Sequence, residues 1–371
     1  MSGGVNLFGY IRAELGVGES CRLAANSLEN VDIPFGIINY PVCAARQEDL
    51  TWAHKEIKEP LFNTNIFHIN ADQLEIAFRY DILNRRLLEN RYNIAVWHWE
   101  LPEFPDEFAA SFKMIDEVWA PSTFIFESIS KKSPVPVVKI PHGLCDNHAS
   151  QTIGRKYFML PDNRFLFLMM YDPNSSPHRK NPQGVISAFK MAFAKDESSV
   201  GLIIKINNSQ IDRSVELEQL KKEIGDYKNI YIIDKVMNRN EINALMNVTN
   251  CLVSLHRSEG FGLPLAEAMA CGKPVIATGW SGNMEFMNEA NSCLVRYELE
   301  RVGQDWGPYK AEQFWADPDI DHAAYYMKKV VEDPVWCSKT AARGKDTIQK
   351  HFSPKKSGQL MKSRLNELEL L

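Results

Sequence analysis

Two glutamates eight residues apart, Glu259 and Glu267, bracket the segment Glu259-Gly-Phe-Gly-Leu-Pro-Leu-Ala-Glu267. An apolar run ends just before it at Ser254, a glycine-bearing loop follows, and Pro264 suits the first turn of a helix. The backbone amides of Gly260, Phe261, Gly262 and Leu263 would then lie at a helix N-terminus. Such a terminus attracts an anion through its free N–H groups and its partial positive charge, and a phosphate is the natural guest. Glu259 precedes the loop and Glu267 sits one turn into the helix, so the carboxylates flank the phosphate seat from different sides. One can accept hydrogen bonds from ribose hydroxyls and the other can reach toward a sugar. As an isolated pair they would read as a loop charge and a solvated helix charge. The strand, glycine loop and proline together favour the ligand reading.

Short apolar runs alternate with helical patterns along the chain, as expected for parallel sheets built from βαβ units. One series of strands is predicted at 5–10, 35–38, 65–69, 93–97, 117–120 and 137–140, with a capped helix opening at Ser122. The polar segment 141–163 precedes a fresh series at 164–171, 200–206, 230–233, 251–254, 274–277 and 293–295. The expected organisation is therefore a Rossmann-like domain over 1–150, a second over 151–353, and an amphipathic helix over 354–371 that can pack back on the first domain. In that tail Leu360, Met361, Leu365, Leu368 and Leu371 recur at helical spacing. Two such domains facing a central cleft would bind ligands at the carboxyl ends of their strands.

Composition narrows the function classes. The 371 residues carry 42 Lys+Arg against 47 Asp+Glu, a net charge of -5 that gives no general reason to expect nucleic-acid binding. Peripheral membrane contact stays open through Lys355, Lys356, Lys362 and Arg364, although a solvated helix face is the default. The seven cysteines, Cys21, Cys43, Cys145, Cys251, Cys271, Cys293 and Cys337, form no C-x-x-C pair. They read as reduced thiols in a cytoplasmic protein. Arg12 and Glu14 break any signal-peptide core. No metal-ligand spacing stands out: His98, His142, His178 and His256 are scattered, and Asp317-Pro-Asp319 reads as a helix-entry turn with Asp321.

The Glu259 to Glu267 motif resembles that of the retaining glycosyltransferases of family 4, which have the GT-B fold. The resemblance extends to Gly16-Val-Gly18-Glu19, Trp119-Ala-Pro-Ser-Thr-Phe124, Pro141-His-Gly143, Arg179-Lys-Asn-Pro182 and Ser281-Gly-Asn-Met-Glu285, in that order. It implies that Glu259 contacts hydroxyls of the donor sugar, Glu267 the ribose, and the amides of 260–263 the diphosphate. A loop around Val236 would hold the base, and Ser281, Gly282 and Asn283 would sit beside the sugar or distal phosphate.

Stabilising negative charge on a departing diphosphate is the main catalytic task in such a transfer. Lys180 and Arg179 are the cations expected to do so. The family more often has its Arg about five residues ahead of the Lys, where this chain has Asp172-Pro-Asn174, so Lys180 is the firmer assignment and Arg179 can also be read as a surface cation. His98, in Trp97-His-Trp-Glu100, would hydrogen-bond the transferring sugar, or else is a packed histidine. Gly16 and Gly18 fit either a loop closing on donor or acceptor, or a tight turn. Asn70, Asp72, Trp99 and Glu100 are candidate acceptor contacts. The aromatic rings Trp97, Trp99, Phe104 and Phe112 would form a sugar platform or a core.

The resemblance thus implies retention of configuration, no required cofactor or metal, and a nucleoside-diphosphate sugar as substrate, with GDP-mannose ahead of UDP-sugars. The acceptor would be a glycan or lipid-linked glycan in polysaccharide biosynthesis. The alternatives are a non-catalytic nucleotide-sugar-binding subunit of a glycan synthase, or a GT-B sugar-nucleotide epimerase or phosphorylase.

Overall fold

A computed structural model describes residues 3–144, 153–207 and 214–371. The chain divides into two compact units, Met1–Cys145 with Lys350–Leu371, and Asp146–Gln349.

The first unit holds β1 (Val5–Gly9), β2 (Phe35–Asn39), β3 (Thr64–His68), β4 (Tyr92–Val96), β5 (Glu117–Ala120) and β6 (Val137–Lys139), with helices α1 (Gly16–Glu29), α2 (Ala71–Arg79) and α3 (Thr123–Ser130). All six strands are parallel, in the order β2-β1-β3-β4-β5-β6. Val5, Leu7, Ile66, Phe67, Ile94 and Ala95 are buried because helices cover a parallel sheet on both faces. Register has a polar lock. Asn6 donates to Asn65 Oδ1 at 2.9 Å and Asn65 to Asn93 Oδ1 at 2.8 Å, a buried amide ladder across β1, β3 and β4. A slip of one residue would turn these amides to the other face and leave them without partners. Ser122 caps α3 through a bond from the Ile125 amide.

The second unit holds β7 (Phe165–Tyr171), β8 (Val200–Ile206), β9 (Ile230–Asp234), β10 (Cys251–Ser254), β11 (Val275–Thr278) and β12 (Cys293–Val295), again all parallel, in the order β12-β11-β10-β7-β8-β9. Its helices are α4 (Pro177–Lys180), α5 (Pro182–Ala192), α6 (Ser214–Ile224), α7 (Arg239–Val248), α8 (Leu263–Ala270), α9 (Ile320–Glu332) and α10 (Pro334–His351). Phe167, Phe189, Leu202, Ile204 and Val253 lie at the centre of its core. Strand order reverses between β7 and β10 here, and between β1 and β3 in the first unit. At such a reversal the connections leave toward opposite faces, which opens a crevice at the carboxyl ends.

Two elements depart from expectation. An antiparallel hairpin of β13 (Tyr297–Arg301) and β14 (Phe314–Pro318) follows β12. Asp317 therefore lies in a strand, while Asp319 caps α9 by accepting from the His322 amide at 2.9 Å. Gly16 and Gly18 lie inside the first turn of α1, not in the loop before it. Among the described residues six cysteines are free thiols, Cys145 lies outside them, and no helix is long and apolar enough to cross a membrane.

The final helix, α11 (Pro354–Glu367), packs on α1 and buries Met361 and Leu365 in the first unit's core. Arg364 reaches the fully buried Glu117 of β5, with Nη2 to Oε2 at 2.6 Å, while Trp119 donates to the same carboxylate at 2.7 Å. Lys362 donates to the Val31 carbonyl. Two of the four basic residues offered for a membrane surface are thus bonded within the unit, and Lys355 and Lys356 remain exposed.

Removing the Arg364 guanidinium would leave Glu117 buried with its charge uncompensated. Arg364→Ala is expected to lower the unfolding free energy by about 3 kcal/mol, and Arg364→Met combined with Glu117→Gln by much less, as read by denaturant titration.

Candidate active site

The loops that leave β7 and β10 meet across the strand reversal of the second unit. After β7, Asp172 closes a short turn by accepting from the Asn174 amide. Ser176 then takes φ 62° and Asn181 φ 53°, and these two left-handed residues bracket the single turn of α4. Asn181 caps α5 through the Gly184 amide and donates to the Leu255 carbonyl at 2.9 Å, which ties this loop to the one after β10. Arg179 and Lys180 are thereby aimed at Glu259.

Lys180 Nζ bonds Glu259 Oε1, and Arg179 Nη1 lies 3.4 Å from Oε2. Arg179 is only 2% exposed and also donates to the Ser258 carbonyl at 2.7 Å. It is not the surface cation that the sequence left open. Burial alone would push the Glu259 carboxyl up, but Lys180 and then Arg179 more than offset it and hold the group down at about 2.

The chain then passes Gly260, buried Phe261 and Gly262 at φ 85° into α8, with Pro264 in its first turn. Phe261 packs on Phe286. Glu267 is 4% exposed and paired with Arg239 at 2.5 Å. Sequence reasoning missed Arg239, although it opens α7 directly after Asn238, which forms a capping box with Glu241. Val236 lies in the 235–238 loop before that cap. Lys235 and Tyr157 both bond Glu241, whose carboxyl burial would raise but which Lys235 and then Tyr157 hold at about 2.

The turn at 281–283 rides on the Glu259 backbone. Ser281, at φ 78°, accepts from the Glu259 amide at 2.9 Å, and the Gly282 amide donates to the Glu259 carbonyl at 2.9 Å. A Cβ on Gly282 would stand 1.8 Å from the Gly260 oxygen, so no side chain fits. Asn283 is fully buried. It donates to the Thr278 carbonyl and its Oδ1 lies 3.1 Å from His256 Nε2. Its side chain therefore holds the turn and is not presented to a ligand. His256, also missed as a structural residue, is kept neutral mainly by burial.

The hairpin contributes to the same region. Arg257 donates its amide to the Arg179 carbonyl and pairs with Glu300 of β13 and, at 3.0 Å, with Asp317 of β14. His178 stacks on Trp306, and Arg179 lies over Tyr309.

In the first unit the candidate residues gather at the carboxyl ends of β1, β3 and β4. A Cβ on Gly18 would meet the Ala13 oxygen at 2.3 Å, so its glycine is required by the loop before α1; Gly16 faces open space. Asn70 Oδ1 accepts the His98 amide at 3.0 Å and lies 3.4 Å from His98 Nδ1. His98 Nε2 lies 3.1 Å from His142 Nε2. Burial lowers His98 to about 4 and His68 to about 3, and lowers His142 well below its ordinary value. Asp72 is half-buried beside Gln73, and Glu100 is half-buried beyond β4. Trp99 is only 3% exposed, packed on Phe104 and Phe108 with its indole bonded to the Glu103 carbonyl. With Trp97, Phe104 and Phe112 it forms a core, which corrects its assignment as an acceptor contact; the apolar payload of four rings is worth more buried than exposed.

Among the described residues no group of three His, Cys, Asp or Glu side chains is placed to hold a metal ion. What the second unit offers is a paired cation set, an ionised carboxylate and a helix N-terminus at one strand reversal.

Residues 162–299 match the family described as glycosyl transferases group 1. That match lies within the second unit, and the two parallel six-stranded units have the GT-B fold. The serotype-specific mannosyltransferase WbdA of Escherichia coli is 28% identical over 154 residues, which is 41% of this chain and 18% of that protein. The chain therefore matches about one fifth of the length of that curated relative. Among solved structures, Anabaena HepE in complex with UDP and glucose aligns at TM-score 0.67 and 15% identity over 99% of this chain and 100% of that one. Sucrose-phosphate synthase of Thermosynechococcus elongatus aligns at 0.69 and 14% over 98% and 99%. At these identities the structural likeness bears on fold.

Two outcomes follow from the geometry. Gly282→Ala must push the 281–283 turn off the Glu259 backbone, and is expected to weaken nucleotide binding by at least about tenfold with secondary structure retained, as read by calorimetry and circular dichroism. The buried neutral histidines also set an acid limit. Below about pH 6.5 the unfolded chain takes up protons that His98 and His68 refuse in the fold, so stability falls with decreasing pH by about 1.4 kcal/mol per unit for each until pH nears its folded value. Denaturant melts between pH 7 and pH 5 check this, and a flat profile would contradict it.

Proposed function

We propose that the chain transfers a hexose, with retention of configuration and without a metal ion, from a nucleoside-diphosphate sugar to a hydroxyl of a glycan or lipid-linked glycan. The observation that carries this reading is the Glu259 carboxylate held between Lys180 and Arg179 at the N-terminal approach to α8. A diphosphate seated there meets two fixed cations and the backbone of 260–263, so charge growing on the leaving group is met without reorganisation. Glu259, kept ionised, cannot serve as a general acid near neutral pH. Its role is to accept hydrogen bonds from sugar hydroxyls, and its release from Lys180 accompanies donor binding. Glu267, steered by Arg239, accepts from the ribose, and the loop at Val236 lies against the base.

A diphosphate leaves without protonation by a strong acid, and its own oxygen can take the proton of the incoming hydroxyl on the same face, which gives retention. Asn70, Asp72, Glu100 and His98 are the first unit's contributions to sugar binding. GDP-mannose is the favoured donor, supported by the similarity to WbdA, named a mannosyltransferase; a UDP-sugar is next, since HepE was solved with UDP and glucose. The product belongs to polysaccharide biosynthesis at the inner face of a membrane.

With GDP-mannose and UDP-sugars as trial donors, turnover is expected to fall by about 10²–10³ in Lys180→Ala and in Glu259→Gln, with native secondary structure retained and a lowered melting temperature in Glu259→Gln, which leaves Arg179 without its counter-ion. NMR of the product should show the donor's anomeric configuration, and EDTA should leave the rate unaltered. Near-normal rates in both variants overturn the assignment, and donor binding without transfer to any glycan acceptor favours a non-catalytic binding subunit.

A further inference from the structure

Two buried imidazoles and a half-buried one line up at the carboxyl ends of the first unit's sheet: buried His68 ends β3, half-buried His98 follows β4 and buried His142 follows β6. We propose that His142 is a positioning residue for His98: its Nε2–H holds His98 as the tautomer protonated on Nδ1, so that the ring offers a substrate oxygen a hydrogen-bond donor and not a base. The functional part of this inference rests on the transferase reading above; the tautomer itself does not.

The assignment follows from one fixed atom. Asn70 Oδ1 accepts the His98 backbone N–H at 3.0 Å, which identifies that atom as the oxygen, and the same oxygen stands 3.4 Å from His98 Nδ1. An amide oxygen only accepts, so Nδ1 carries the proton. Nε2 then holds a lone pair, and the group 3.1 Å away, His142 Nε2, must donate. The Nδ1–H bond to Asn70 is long, so an incoming hydroxyl or phosphoryl oxygen can take the proton over without breaking a strong contact.

The line continues inward. A neutral His142 with its proton on Nε2 has an accepting Nδ1. His142 and His68 both border a cavity of about 10 Å³, together with Trp119, Ile140 and Ser357. His68 is 1% exposed; its Nδ1 lies 3.2 Å from Ser20 Oγ, and its Nε2 is buried with no partner among the described residues. A void of this size has room for about one water.

Among the described residues the rings act on one another: His98 on His68, and His98 and His68 on His142. Adding a proton to His98 would set two donors against each other at the 3.1 Å contact, so burial and geometry act in the same direction.

Imidazole nitrogen NMR on the whole chain labelled with 15N-histidine tests this with no substrate present. Expected is a His98 protonated on Nδ1 that does not titrate above pH 5. In His142→Phe the donor to Nε2 is gone: part of the His98 population should carry its proton on Nε2, burial should still keep the ring from titrating near pH 6.5, and kcat should drop about tenfold. In His142→Gln, whose side-chain amide can replace the Nε2–H donor, the tautomer and most of kcat should return. A wild-type His98 protonated on Nε2, or a His142→Phe variant with unchanged tautomer, overturns the positioning role. The expected NMR with wild-type transfer by His142→Phe overturns its catalytic consequence, and the expected NMR in a chain that transfers no sugar leaves the tautomer standing while the transferase reading fails.

Discussion

A carboxylate caught between two cations, Glu259 between Lys180 and Arg179, is the contact from which the rest of the second unit takes its shape. It spans two connections that are 79 residues apart in sequence and adjacent in space. The adjacency is topological. In the order β12-β11-β10-β7-β8-β9 the chain builds outward from β7 in one direction and then restarts beside it at β10, so the loops after those two strands cannot cover each other's backbone. Backbone amides and charged side chains collect where helices fail to meet. A protein that placed Arg179 there, 2% exposed, without an anion to meet it would carry a cost of several kcal/mol. Glu259 offsets that cost.

The carboxylate stays in place because its backbone is held from below. Ser281 and Gly282 exchange hydrogen bonds with Glu259, and Asn283 is fixed in turn through Thr278 and His256. Four left-handed or otherwise restricted positions, Ser176, Asn181, Gly262 and Ser281, surround the same small volume. Strain of this kind persists only where neighbouring contacts over-determine it, and it clusters where a site needs rigid donors. The hairpin adds a further brace through Arg257, Glu300 and Asp317, with Trp306 and Tyr309 against His178 and Arg179.

Much of this was legible in the sequence because the signals are local. Buried parallel strands read as apolar runs: the expected runs at 117–120, 200–206, 251–254 and 293–295 coincide with β5, β8, β10 and β12. Ser122, Asn181 and Pro264 mark helix starts by short-range chemistry. The hairpin escaped because its strands, Tyr-Glu-Leu-Glu-Arg and Phe-Trp-Ala-Asp-Pro, are charged and short, and Tyr297, Leu299 and Phe314 are exposed, so no buried apolar run marks them. Pairs such as Arg239 with Glu267 or Arg364 with Glu117 escaped for a different reason. Their partners lie 28 and 247 residues apart, and no periodicity links them. Trp99 misled because a ring after a strand looks the same in sequence whether it faces a sugar or a core; only the neighbouring Phe104 and Phe108, which close over it, decide the matter.

The two units solve different electrostatic problems with the same architecture. At the strand reversal of the second unit the protein assembles Lys180, Arg179 and Arg239 against ionised carboxylates, a set suited to a ligand that arrives charged and leaves more so. At the carboxyl ends of the first unit's sheet it packs imidazoles and keeps them neutral, with His98 and His142 sharing one hydrogen bond. A ring that stays neutral keeps a directional donor without adding a charge. The burial that lowers His98 to about 4 thus lets one chain hold strong cations in one unit and a neutral, directional donor in the other at the same pH.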